Sequence, residues 1–321
     1  MASHGVTRFR VRVPVTEVAY AAPMPRRTLS LFGPIDLALT LKPLARGGGD
    51  PRIKLSPHRA CRATRTPEGP AAAAFTVNQP FVEVEAWGPG AAWCLDHAPA
   101  LLGLGDDPSS FSPADPALHR IHRSLPGLRI GRSDAVVEAI VPAIVEQKVT
   151  SVEARRSYRK LVAAYGEPAP GPLGLTLPPL PRVLAALPYD AFHRFGIERK
   201  RADTIRRACS YAHRLEEALS LPRPAARKRL LALQGIGPWT AAIVEGTAFG
   251  DPDAVIVGDY HLPHLVSWVL AGEPRSDDAR MIELLEPYAG HRGRVLRLLV
   301  AGARRPPSRH PRRRLRSIAA I

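Results

Sequence analysis

The sequence predicts an α+β protein. A small N-terminal mixed α/β domain with an antiparallel sheet (residues 28–125) precedes an all-α domain (residues 126–303). Two observations carry this. Between Thr28 and Trp87, short runs suited to strands are separated by the breakers GGGDP, PEGP and NQP, and beyond about Pro126 the apolar period lengthens to that of helices. Length agrees, because 321 residues exceed the ~250–300 that one core usually organises.

Residues 1–27 read as a loosely ordered leader. The predicted strands are TLSLF, CRATRT, AAAAFTV and FVEVEAW. In the last, Phe81, Glu83 and Glu85 alternate with Val82, Val84 and Ala86, the period of a half-buried strand. Helices are expected at Pro34–Leu44 and at Gly90–Leu102, where Trp93, Leu95 and Ala98 share a face. In the second domain, Ser133 is a candidate cap for a helix with the stripe Val136, Val137, Ile140, Val141, Ile144 and Val145. Thr150 and Glu153 form a capping box for the next helix, which Gly166 can close. A Pro-rich loop, residues 167–181, precedes shorter helices up to Ala303.

Composition narrows the function classes. Three scattered cysteines, Cys61, Cys94 and Cys209, exclude a disulfide scaffold and any four-cysteine zinc or iron–sulfur site made by this chain alone. No apolar run approaches a membrane span and no secretory h-region is present, so a cytoplasmic protein is expected. The formal charge of +16 sits largely at the ends. Seven arginines lie between Arg304 and Arg316, and residues 1–27 add a net four charges, leaving +5 for residues 28–303. The Arg-rich tail, residues 304–321, reads equally as a solvated arm or as one that binds a polyanion.

The most informative segment is Leu231–Thr240, LALQGIGPWT. An amphipathic helix ends, Gly235-Ile236-Gly237 makes a tight turn, and Pro238 suits the first position of a following helix. The free N–H groups of such a helix start make a phosphate site, although a simple helix–turn–helix corner fits the glycines equally well. Twenty residues beyond Trp239, the apolar run Val255–Val257 delivers Asp259 to what reads as a helix start. A carboxylate held partly away from water and a plain N-cap aspartate both fit that position.

Taken together, these residues resemble the helix-hairpin-helix superfamily of DNA glycosylases. In that superfamily an L-x-G-[IV]-G-x-x-T-A hairpin precedes the catalytic aspartate by about twenty residues, matched here by Leu233–Ala241 and Asp259. AIVEQKVTSVEAR, FGIERKRADTIRRAC and EPYAGHRGRVLRLLVAG extend the likeness to the inducible bacterial 3-methyladenine-DNA glycosylase type, across roughly residues 28–303. The resemblance implies that Asp259 stabilises an oxocarbenium-like sugar. It implies that Gly235, Ile236, Gly237 and Thr240 form the DNA-binding hairpin. Trp239 would line the base pocket, with Tyr260 and Tyr288 as weaker candidates. Relatives that cut the backbone carry a lysine where this chain has Trp239, so base release without strand cleavage is expected. The expected partner is damaged double-stranded DNA, bound by a monomer near the nucleoid. No cofactor is expected, and no iron–sulfur cluster. A structural Na⁺ or K⁺ at the carbonyls of Leu231, Leu233 and Ile236 is the one ion the resemblance suggests.

Gln147 and Lys148 occupy the loop that, in the resembled type, fills the gap left by a flipped nucleotide; Lys148 departs from the leucine or glutamine usual there. Asp259, His261 and His264 have the spacing of a possible metal site, but structural or DNA-contacting histidines are the favoured reading. Two rivals to an alkylpurine glycosylase stay open: a glycosylase for a deaminated or oxidised base, and a non-catalytic DNA-binding protein.

Overall fold

The structure is a computed structural model that describes residues 25–306. The expected leader as far as residue 24 and the tail from residue 307 lie outside the described residues. In chain order the elements are β1 (Arg26–Ser30), α1 (Leu37–Leu41), β2 (Ile53–Leu55), β3 (Arg59–Thr66), β4 (Gly69–Asn78), β5 (Phe81–Trp87), α2 (Ala91–Leu101), α3 (Pro116–Ser124), α4 (Val136–Glu146), α5 (Ser151–Tyr165), β6 (Glu167–Pro168), β7 (Thr176–Leu177), α6 (Pro181–Ala186), α7 (Tyr189–His193), α8 (Arg199–Ser210), α9 (Ala212–Glu216), α10 (Arg223–Leu231), α11 (Pro238–Ala248), α12 (Leu262–Ala271), α13 (Asp278–Leu285) and α14 (Arg292–Gly302). Among the described residues no helix is long and apolar enough to cross a membrane.

The first five strands form one antiparallel sheet in the order β1-β5-β4-β3-β2. In β5, Val82, Val84 and Ala86 are buried, as their alternation predicts. The alanine run of β4 is buried on both faces. Ala71, Ala73 and Phe75 pack with α1 and α2, whereas Ala74 joins Cys61 and Ala63 beneath Leu175 and Leu177 of the Pro-rich loop. Small side chains let that loop lie close: a Cβ on Gly171, whose φ is +80°, would meet the Trp87 ring at 2.4 Å. The three-residue β2 and the two-residue strands β6 and β7 carry no pattern long enough to predict.

At the centre of the helical region lies α4, buried at nine of its eleven positions and packed by α5, α8, α9 and α11. Its cap differs from expectation. The Glu216 side chain, not Ser133, accepts the N–H groups of Val136 and Val137 at 2.9 and 2.8 Å, and the buried Ser133 hydroxyl makes no hydrogen bond. Thr150 and Glu153 do form a capping box, and Gly166 is the C-cap of α5. Glu138 of α4 ties this core to the sheet through Arg62, the Thr64 hydroxyl and the Arg65 N–H.

A third cluster joins α3, α12, α13 and α14 around Leu118, Val266, Met281, Leu285 and Leu299. Helix α3 precedes the expected boundary at residue 126 but packs on α12 and α14. The sheet likewise begins at Arg26, inside the expected leader.

Candidate active site

The hairpin is α10, a turn and α11. Gly235 has φ +96°, and a Cβ there would meet the Thr204 hydroxyl oxygen of α8 at 2.3 Å, so both its conformation and its neighbour require glycine. Gly237 is the extended N-cap of α11 and Pro238 its first residue. A Cβ on Gly237 would meet nothing within 4 Å, which leaves the helix start open on that side. Ile236 is buried in the core that holds α4, α5, α8 and α11, and Thr240 is buried in α11.

Two side chains from elsewhere hold the turn. Arg207 of α8 donates to the Gln234 carbonyl at 2.7 Å. The Gln147 amide nitrogen donates to the Gly235 carbonyl at 3.0 Å and to the Thr240 hydroxyl at 2.9 Å. Gln147 is thereby tied down, whereas the next residue, Lys148, is exposed and sits in the left-handed region with φ +57°. Neither the Gln147 link nor the Arg207 link was foreseen. The density of basic residues in FGIERKRADTIRRAC was the available signal for α8.

Asp259 is delivered by residues 252–258, and that segment is clamped to the start of α14. Arg292 grips Asp253 through its backbone N–H and its guanidinium. The Arg294 N–H donates to the Pro252 carbonyl at 2.8 Å. Gly293 lies so close that a Cβ would meet the Ala254 carbonyl oxygen at 2.8 Å. These contacts explain locally why HRGR stands in the C-terminal stretch.

The Asp259 carboxylate is shared between two duties. Oδ1 accepts the N–H groups of His261 (2.7 Å) and Leu262 (3.0 Å), a cap on the start of α12. Oδ2 accepts the Trp239 indole N–H at 3.3 Å. Both residues are half-buried. The N-cap reading and the partly shielded carboxylate therefore describe the same side chain.

The ring contacts of the other aromatic candidates are with residues other than this pair. Tyr260 is 73% exposed and makes edge contacts with His261 and His264, with ring centroids 5.0 and 5.7 Å away. Tyr288 lies in the third cluster, where its ring neighbour is Phe111 at 6.3 Å. Burial pushes the Tyr288 phenol above its usual range. The His264 Nδ1 accepts the Ser276 N–H at 3.0 Å, a structural use of that ring. Among the described residues no three His, Cys, Asp or Glu side chains converge on a metal position. Burial also pushes the Cys209 thiol up to about 12 and that of Cys94 to about 11, so neither is a ready nucleophile.

No family profile matches the chain. Curated relatives do. A Mycobacterium tuberculosis protein named probable bifunctional transcriptional activator/DNA repair enzyme AlkA is 33% identical over 169 residues, which is 50% of this chain and 34% of that protein. DNA-3-methyladenine glycosylase 2 of Escherichia coli K12 is 30% identical over 176 residues, 54% of this chain and 61% of that protein. The chain's matches thus span about a third of the first relative's length and less than two thirds of the second's. Among solved structures, 3-methyladenine DNA-glycosylase from Archaeoglobus fulgidus superposes with a TM-score of 0.73 at 19% identity, covering 85% of this chain and 97% of that one. An 8-oxoguanine glycosylase/lyase from Clostridium acetobutylicum, in complex with double-stranded DNA, gives 0.61 at 14% identity over 83% and 91%. The chain shares its fold with these solved structures, and its hairpin and sequence matches resemble the 3-methyladenine branch of the helix-hairpin-helix DNA glycosylases.

Proposed function

We propose that this chain is a monofunctional DNA N-glycosylase that flips alkylated purines out of duplex DNA and hydrolyses their glycosidic bond. One observation carries the reading: the Asp259 carboxylate and the Trp239 indole meet at 3.3 Å beside the open start of the hairpin helix. Phosphate binding alone requires neither side chain.

The hairpin N–H groups, with the positive end of α11 behind them, take a phosphate of the damaged strand. Extruding the nucleotide costs a few kcal/mol, least for a damaged base. The flipped ring, positively charged when alkylated at N3 or N7, meets the electron-rich Trp239. As the bond stretches, Asp259 faces the developing positive charge on the sugar and can orient the attacking water. The alkylated base leaves neutral, so no general acid is needed.

Strand cleavage requires an amine nucleophile at the sugar carbon, and the position after Pro238 holds Trp239 instead. Because Gln147 is engaged by the hairpin, Lys148 is the side chain its loop offers to the duplex, either in the gap or on a phosphate. The same turn would be the place for a Na⁺ or K⁺. The carbonyls of Gln234 and Gly235 are already taken by Arg207 and Gln147, and the Leu233 carbonyl accepts the Ile236 N–H at 2.9 Å with a second lone pair to spare. Leu231, Leu233 and Ile236 would hold the ion, which supplies positive charge beside the phosphate.

The deciding experiment is base release from methylated duplex DNA, with abasic sites scored before and after hot alkali. Release of 3-methyladenine or 7-methylguanine, with breaks only after alkali, is the expected result. Release of none, while deaminated or oxidised bases are excised, would overturn the substrate class. Borohydride-trapped adducts with wild-type protein would overturn the monofunctional assignment. The hairpin itself is tested by Gly235→Ala. Positive φ and the Thr204 contact together should cost roughly 1–3 kcal/mol of local strain. Duplex affinity is expected to fall about tenfold or more, and undiminished binding would show that the turn does not hold the strand.

A further inference from the structure

Helix α8 touches the hairpin along one face. The Thr204 side chain lies against Gly235, and its hydroxyl donates to the Lys200 carbonyl at 2.8 Å, one turn earlier. Arg207, three residues later, reaches the Gln234 carbonyl. Residues four apart share a helix face and side chains lean toward the N-terminus, so Thr204 points from Gly235 toward Lys200.

The cations of α8 divide sharply by occupation. Arg199 lies over the Tyr189 ring at 4.4 Å. Arg201 is buried and donates to the carbonyls of Val145 and Gly196. Arg206 serves Asp203 and the Ala185 carbonyl. Arg207 holds the turn. Lys200 is exposed, and among the described residues its side chain alone of these five makes no hydrogen bond, ion pair or ring contact. The nearby acid, Glu198, faces Arg201 at 3.7 Å. A solvated ammonium is thus carried one helical turn from the residue that packs on Gly235.

We propose that Lys200 binds a second phosphate of the strand held by the hairpin, while Arg207 fixes the turn so that both phosphates are met together. The inference rests on the duplex-binding reading above. Lys200 is a binding residue in this assignment and takes no part in the chemistry.

The test is the salt dependence of affinity for an undamaged duplex, measured with the full chain, Lys200→Ala, Lys200→Arg and the exposed Lys160→Ala on α5. Loss of one phosphate contact should flatten the slope of log affinity against log salt by about 0.9, so the affinity deficit grows roughly eightfold for each tenfold fall in salt. Lys200→Arg should restore the slope, and Lys160→Ala should leave it at the wild-type value. An unchanged slope in Lys200→Ala, or an equal loss in Lys160→Ala, would overturn the assignment while leaving the glycosylase reading intact. A wild-type chain that binds no duplex would overturn both.

Discussion

Asp259→Asn is expected to lower single-turnover release of alkylated bases by on the order of 10²–10³ or more, the scale of losing one preorganised charge-stabilising group. Duplex affinity should be retained. The substitution separates the two duties of the carboxylate. An asparagine Oδ1 can still accept the His261 and Leu262 N–H groups, so the start of α12 is preserved. The amide nitrogen then faces the Trp239 N–H, two donors opposed, and the negative charge beside the sugar is gone. Asp259→Ala is less informative because it also removes a cap worth about 1 kcal/mol. Parallel loss of binding and release in Asp259→Asn, with an unchanged melting temperature, would contradict the assignment.

What could be read from the chain alone follows from how local each determinant is. The Thr150–Glu153 box spans four residues and both partners are visible in the sequence; the cap of α4 is Glu216, some eighty residues away, which no local pattern announces. Strand β5 shows its buried face by alternation, whereas β4 is covered on both sides and reads as a plain alanine run. The hairpin and Asp259 were legible because their spacing matches the signature of the resembled superfamily, whereas the Trp239 contact is seen only in the fold. Tyr288 is a weaker candidate from the same resemblance, and its ring neighbour in the structure is Phe111. The supports of the turn, Thr204, Arg207 and Gln147, were invisible because only folding brings α8 and the loop after α4 to the glycines.

The same non-local logic makes Asp106 the most consequential residue for stability. Asp106 and Arg294 are buried to 6% and 3% side-chain exposure, joined by two hydrogen bonds of 2.5 and 2.9 Å. Asp106 also accepts the Ile130 N–H at 2.9 Å. Its charge opposes burial at two further arginines. Burial holds Arg129 below its usual range, and the half-buried Arg297, donating to the carbonyls of Leu39 and Thr40, is pushed down to about 10.

Asp106→Ala therefore leaves Arg294 buried without its partner, at a cost of about 3–5 kcal/mol, and removes the nearby negative charge from two more cations. The pair borders a cavity of about 220 Å³, roomy enough for water to solvate the orphaned guanidinium in part. That places the expectation near the lower figure, about 3 kcal/mol, with a melting temperature lower by on the order of 10 °C. Adding Arg294→Met should recover part of the loss, since removing both charges leaves none unpaired. Because the Arg294 backbone also anchors Pro252, seven residues before Asp259, Asp106→Ala should slow base release below the temperature at which the chain unfolds. A variant as stable as wild type, or a double variant no better than the single, would show that this ion pair does not hold α14 and the aspartate-bearing segment in place.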